Sequence, residues 1–263
     1  IPANVKRIAL VYGISEYAPP IPALAYGAAD AAAAAAVLAS NGYAVTVRTN
    51  AEATRAQLAA DAASAAAFSD RDDIVLFYFS GHGVDRGTYA ACASNAGSST
   101  SIDAGLLFYG SEGTLDANVC ANTLGERSIA ASFAGIAAKK KIAVLDACYS
   151  GGFIAPGKSV DAYPAEYTNA AVDIAAVFAR AVERYAGMET GDAVFLTISA
   201  AGNEAAWDGF RGHGVFIYFF LCALTDGDLN GDGCITTLEA YAYTGAAIEA
   251  YWNVPDDGEW SFF

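Results

Sequence analysis

Positive charge is scarce in this sequence. Its 14 Lys and Arg stand against 29 Asp and Glu, a formal net charge of −15 over 263 residues. Binding a phosphate backbone calls for clustered Lys and Arg. The one basic run, Lys139-Lys140-Lys141, reads as a solvated helix end before a strand. No nucleic-acid partner is expected; an acidic balance suits a basic substrate or calcium. Long apolar runs are also missing. The longest, Gly214 to Leu224, is too short for a membrane span. Ile1-Pro2 opens with neither a basic n-region nor an apolar h-region, so no signal peptide is expected in this stretch. No internal repeat and no clean linker divide the chain, which is long enough for a substantial core. One domain over residues 1–263 is the expectation.

Histidine is scarce, with two in the chain, and cysteine is odd in number, with five: Cys92, Cys120, Cys148, Cys222 and Cys234. Setting Cys148 aside leaves two local pairs. Cys92 and Cys120 bracket a Ser/Gly/Asn-rich segment, and Cys222 and Cys234 lie across a loop. Paired, they imply an oxidising compartment, secreted or periplasmic; as four unrelated buried thiols they fit the cytoplasm.

What is present alternates between strand and helix patterns. Val5 to Val11 reads as a first strand, and Gly13 to Pro22 as a proline-containing loop. Gly27 to Ser40 is an Ala-rich helix ended by Asn41-Gly42. Tyr43 to Arg48 alternates as a strand, Ala51 to Phe68 is a second Ala-rich helix with Asn50 as its cap, and Asp73 to Phe79 is a buried strand. Such alternation predicts an α/β fold with a parallel sheet and crossover helices. Residues 84–127 break the pattern with a Gly/Ser/Thr/Asn-rich insertion, relieved by a short apolar stretch from Leu106 to Tyr109. Ile129, Phe133 and Ile136 then recur at helical spacing, and Ile142 to Leu145 is a further buried strand. Beyond it come a loop through Lys158 and Pro164, a helix carrying Val172, Val177 and Val182, and a strand from Asp192 to Ser199. A loop from Ala200 to Arg211 and a buried helix from Gly214 to Leu224 complete this part.

Two strands end in the same way. The strand to Phe79 breaks into Ser80-Gly81-His82-Gly83, and the strand to Leu145 into Asp146-Ala147-Cys148-Tyr149-Ser150-Gly151-Gly152. Open α/β sheets place their chemistry at the carboxyl ends of strands. If the two strands are neighbours, His82 and Cys148 emerge on one edge. A thiolate can attack there, while an imidazole activates it or protonates a leaving group. The backbone N–H groups of Cys148 and Gly83 are candidates for an oxyanion hole, since Gly lets a substrate approach the backbone. Asp146 lies two residues before Cys148, so strand alternation points both to one face; alternatively it caps its own turn.

Near the C-terminus, Asp228-Leu229-Asn230-Gly231-Asp232-Gly233-Cys234-Ile235-Thr236-Thr237-Leu238-Glu239 fits the EF-hand pattern position by position. Asp228, Asn230 and Asp232 offer side-chain oxygens, Cys234 its backbone carbonyl, and Glu239 a bidentate carboxylate. Hard oxygen donors suit Ca2+; the alternative is a degenerate loop that keeps its fold without metal.

Tyr78-Phe79-Ser80-Gly81-His82-Gly83 and Asp146-Ala147-Cys148-Tyr149-Ser150-Gly151, in that order, resemble the two catalytic motifs of the caspase-like cysteine peptidases. Within that group the chain is most similar to bacterial metacaspase-like (orthocaspase) proteins. Ile8 to Tyr17 resembles the family's first strand and loop, and Gly212-His213-Gly214-Val215-Phe216 a late family segment. Asp30 sits where the family has an Asp opening its first helix. The resemblance implies a three-layer α/β/α caspase-like domain with a mostly parallel central sheet, and a Cys148–His82 dyad that hydrolyses peptide bonds. It also implies that Asp30 and Asp146 line a primary pocket. Two carboxylates there call for a cation, hence a protein or peptide substrate with Arg or Lys before the scissile bond. Self-cleavage after Lys158 follows as an expectation. Two other readings share these motifs: a non-proteolytic calcium-dependent scaffold, and a transpeptidase or ligase on the same fold.

Overall fold

Runs of β-branched and aromatic residues, bounded by polar turns, build the centre of the molecule. The computed structural model describes residues 4–85, 87–89, 91–92, 104–111, 113–150, 193–198 and 208–251. The expected Lys158 loop and the helix through Val172, Val177 and Val182 lie outside these residues.

Five strands form one sheet: β1 (Arg7–Gly13), β2 (Ala44–Thr49), β3 (Ile74–Ser80), β7 (Lys140–Asp146) and β8 (Ala193–Ile198), in the order β2-β1-β3-β7-β8. Every pairing in it is parallel. The two motif-bearing strands, β3 and β7, are neighbours, with Ser80 opposite Asp146.

Strand alternation sorts the side chains into two cores. Ile8, Leu10, Tyr12, Val75, Phe77 and Phe79 face one way, toward Leu58, Ala62 and Ala65 of helix α2 (Arg55–Phe68). Ala9, Val11, Leu76, Tyr78 and Val144 face the other way. They meet Ala31, Ala34 and Leu38 of α1 (Gly27–Ser40), and Phe216, Ile217 and Phe220 of α5 (Val215–Asp226). The result is the expected α/β/α layering. A fully buried side chain such as Leu10 or Leu58 stabilises it by about 1.5–3 kcal/mol.

Several local expectations shift. Helix α2 starts at Arg55, not Ala51, because Thr54 caps it: its hydroxyl accepts from the Gln57 N–H at 3.1 Å. Asn50 instead takes φ 49° and accepts from the N–H groups of Ser15 and Glu16 at 2.9 and 3.1 Å. It pins the loop after β1. The 84–127 insertion carries regular structure. Strands β4 (Gly83–Asp85), β5 (Ala104–Leu107) and β6 (Thr123–Gly125) pair antiparallel in that order, followed around β6 by helices α3 (Leu115–Asn122) and α4 (Glu126–Ala134). The apolar stretch is its anchor, with Leu106, Leu107 and Phe108 all buried. A disulfide joins Cys92 to Cys120. The second expected pair does not form: Cys222 is half-buried on α5, whereas Cys234 is exposed. The Cys234 N–H donates to Asp232 Oδ1 at 2.8 Å, which ties it into the turn of its own loop.

Within the loop expected over residues 200–211, strand β9 (Asp208–Phe210) pairs with β10 (His213–Gly214). Helix α6 (Thr237–Tyr251) follows the acidic loop after α5 and packs on it, with Ala240 in the core. No helix among the described residues is long and apolar enough to cross a membrane.

Candidate active site

The register of β3 against β7 decides where the chemistry sits. Because Ser80 lies opposite Asp146, residues two further along, His82 and Cys148, leave the sheet at the same level. The Gly81 N–H donates across to the Asp146 carbonyl at 3.1 Å, which continues the pairing one step beyond β3. After β7 the chain turns sharply. Tyr149 takes φ 59°, and the Ser150 N–H donates to the Ala147 carbonyl at 3.3 Å. Cys148 is left half-buried with a free thiol. His82, Cys148 and Asp146 line one cavity together with Leu24, Gly27, Ser80 and Gly81.

His82 is held from three sides. Its backbone N–H donates to the Tyr17 hydroxyl at 2.9 Å, and its ring lies 4.8 Å from the Tyr17 ring, centroid to centroid. Its Nε2 lies 2.8 Å from the Pro22 carbonyl oxygen. A carbonyl only accepts, so Nε2 carries the hydrogen there. In the neutral ring the lone pair is then on Nδ1. The Tyr17 hydroxyl donates to the Leu107 carbonyl at 2.9 Å, which links the imidazole to strand β5. Burial pushes the Tyr17 phenol far above its usual value, so it remains a donor at any physiological pH.

Gly83 is required by close approach. A Cβ at this position would lie 1.7 Å from the Cys148 carbonyl oxygen and 3.1 Å from its nitrogen. Strand β4 thus begins in backbone contact with Cys148. Both groups named for the oxyanion hole belong to this junction.

The two aspartates also converge. Asp146 is 6% exposed and Asp30 1%. A Cβ on Gly214 would lie 2.8 Å from Asp146 Oδ2 and 3.4 Å from Asp30 Oδ2, so both carboxylates reach the same point of β10. Asp30 Oδ1 lies 2.6 Å from His213 Nδ1, and Asp30 Oδ2 accepts from the Gly214 N–H at 3.1 Å. Sequence reasoning placed His213 in a family-like segment without a role. Tyr17 and the Pro22 carbonyl were likewise missed: Tyr17 appears within the first family-like segment, and a backbone carbonyl has no residue-type signature.

In the acidic loop, Asp228 Oδ1 accepts from the N–H groups of Gly231 and Asp232 at 2.8 and 3.1 Å, and Oδ2 from Gly233 at 2.9 Å. Gly231 and Gly233 take φ 75° and 80°, as the tight turn requires. Glu239 Oε2 accepts from the Thr236 N–H and hydroxyl at 2.9 and 2.8 Å, and the backbone bond holds its carboxyl below the usual range. Glu239 Oε1 is buried without a hydrogen-bond partner. Such an acceptor fits a hard cation. Elsewhere, Asp70, Asp72 and Asp73 bring carboxylate oxygens within 4.8 Å of one another, a spacing that could hold a metal ion. The Lys6 ammonium already pairs with two of them, Asp70 and Asp73, at 3.1 Å each.

Comparison with known proteins agrees with this fold. The family model of the caspase domain matches residues 6–239. The crystal structure of protein GSU0716 from Geobacter sulfurreducens is similar in fold, with a TM-score of 0.53 at 20% identity. The match covers 84% of this chain and 83% of that one. The comparison with curated proteins returned no match. With a caspase-like sheet and a family match over most of its length, the chain belongs to the caspase-domain family of cysteine peptidases.

Proposed function

We propose that the chain is a cysteine endopeptidase of the bacterial metacaspase (orthocaspase) type, one catalytic domain over residues 1–263, cutting peptide bonds after Arg or Lys. The observation that supports this most is the common cavity of His82, Cys148 and Asp146 at matched strand ends. In this reading the Cys148 thiolate attacks the scissile carbonyl carbon. The oxyanion so formed is met by the backbone N–H groups of Cys148 and Gly83. His82, its Nε2–H held by Pro22 and its Nδ1 protonated by the proton the Cys148 thiol gave up, passes that proton to the departing amine as the C–N bond breaks. A thioester remains. Nδ1 then takes a proton from water, whose oxygen attacks the thioester and releases the acid and the Cys148 thiolate.

Asp146 on the cavity wall, with Asp30 behind it, supplies negative charge for a basic side chain before the scissile bond. A bound Ca2+ would be held by Asp228, Asn230, Asp232, the Cys234 carbonyl and Glu239, and would cross-link the ends of α5 and α6. Helix α5 begins directly after β10, so its position bears on the pocket.

A panel of fluorogenic peptides varying only the residue before the scissile bond, read with and without calcium, tests the assignment. Turnover of Arg peptides, with Lys second, is expected. Cleavage after Asp and not after Arg would overturn it.

A further inference from the structure

We infer that strand β10 fastens the primary pocket: His213 and Gly214 lock Asp30 as a positioning residue, and Asp146 is the carboxylate that meets the substrate's cation. The inference rests on the basic-residue reading above and assigns unequal roles to its two acids.

Three observations carry it. First, both Asp30 oxygens are engaged by β10. Oδ1 faces His213 Nδ1 at 2.6 Å, and Oδ2 accepts from the Gly214 N–H at 3.1 Å. An ionised carboxylate only accepts, so Nδ1 carries the hydrogen in that contact. Second, Asp30 is 1% exposed, whereas Asp146 is the acid that lines the cavity with Cys148 and His82. A guanidinium reaching Asp30 would have to displace His213. Third, the same two-residue strand touches the other acid. A Cβ at Gly214 would come within 2.8 Å of Asp146 Oδ2, so the β10 backbone forms the wall against which that carboxylate rests. The next residue, Val215, opens α5, and Val215 and Ile217 are buried in the core. The wall is therefore tied to the core on one side and to Asp30 on the other.

The pocket then binds its cation through one carboxylate whose placement depends on the Asp30–His213 contact. Loss of that contact loosens β10 and weakens substrate binding, while leaving the Cys148–His82 chemistry intact. If Asp30 met the substrate directly, removing His213 would release Asp30 and tighten binding, so the sign of one effect separates the two arrangements.

The experiment measures kcat and KM for an Arg peptide in wild type, His213→Ala, His213→Asn and Asp146→Asn. His213→Ala is expected to raise KM about tenfold, the loss of one charge-assisted hydrogen bond, with kcat within about twofold of wild type. His213→Asn keeps a donor near the Nδ1 position and should recover most of the loss. Asp146→Asn should raise KM further than either. Protection of Cys148 against an alkylating agent by added ethylguanidinium, an isolated guanidinium probe, should weaken in the same order and does not depend on turnover. A KM that falls or stays unchanged in His213→Ala, or an Asn variant no better than Ala, would overturn the inference. If His213→Ala does not fold, the Asn variant's KM and its ethylguanidinium protection decide: values near wild type uphold it, and a loss equal to that of Asp146→Asn overturns it. A wild type that fails to cut Arg and Lys peptides while cutting another class would instead sink the basic-residue reading itself.

Discussion

Tyr17 shows how much of a site can hang on one residue. Its hydroxyl accepts from the His82 N–H, donates to Leu107, and its ring packs against the imidazole. Replacing it by Phe keeps the ring and removes both hydrogen bonds. The expected result is a fall in kcat of up to about tenfold, in line with ~0.5–1.5 kcal/mol for a neutral hydrogen bond, with KM little changed. Steady-state kinetics on an Arg peptide check this. Cys148 and His82 could be singled out from sequence because each follows a buried strand and sits in a glycine-bounded turn. Tyr17 and Pro22 could not, because their function comes from where the loop after β1 lands. That landing is set by Asn50, which accepts two hydrogen bonds from Ser15 and Glu16. The Asp30–His213 contact spans 183 positions, beyond any local pattern.

At the scale of elements, strong periodicity and clear stop signals were readable and short strands were not. Helix α1 runs from Gly27 to Ser40 as its Ala-rich pattern and Asn41-Gly42 end predict. Helix α2 starts late because Thr54 competes successfully for the cap position. Strands β4, β5 and β6 are three or four residues long, too brief for alternation to stand out among Gly, Ser and Thr. Local spacing offered two bridges against four unrelated thiols; the Cys92–Cys120 bridge forms, and Cys222 and Cys234 remain free. The acidic loop that carries Cys234 also yields a direct prediction. Calcium added to metal-stripped protein should raise the melting temperature, by an amount that grows with free calcium above its dissociation constant. Asp228→Ala should abolish the shift. A melt indifferent to calcium in the wild type would leave the loop as a turn held by its own hydrogen bonds alone.

For the whole molecule, the order β2-β1-β3-β7-β8 brings the two motif-bearing strands side by side, which the alternation of strands and helices allowed but did not dictate. One buried cluster ties three of the elements together. Asp61 on α2 accepts from Tyr12 on β1 at 2.6 Å, from Arg48 on β2 at 2.8 and 2.9 Å, and from Gln57 at 2.9 Å. Burial opposes ionisation of Asp61, but these hydrogen bonds outweigh it and hold its carboxyl below the usual range. Its folded pKa lies under its unfolded one, near 3.9 for a free Asp. The contribution is therefore complete above about pH 4 and is lost as pH falls through the folded value. Asp61→Asn should destabilise the neutral protein by about 2 kcal/mol, less than the ~3–5 kcal/mol of a fully buried pair, because the Arg48 side chain is 30% exposed. The variant should also lose stability less steeply on acidification, as thermal melts across that range would show. All of this scaffold serves one claim, that Cys148 attacks and His82 transfers the proton. Its most direct test is turnover of an Arg peptide by Cys148→Ala and His82→Ala beside wild type, with melting curves recorded on the same samples. Activity reduced to background in both variants, with melting temperatures close to wild type, is the predicted result; Arg-peptide turnover retained by a clean Cys148→Ala preparation would contradict it.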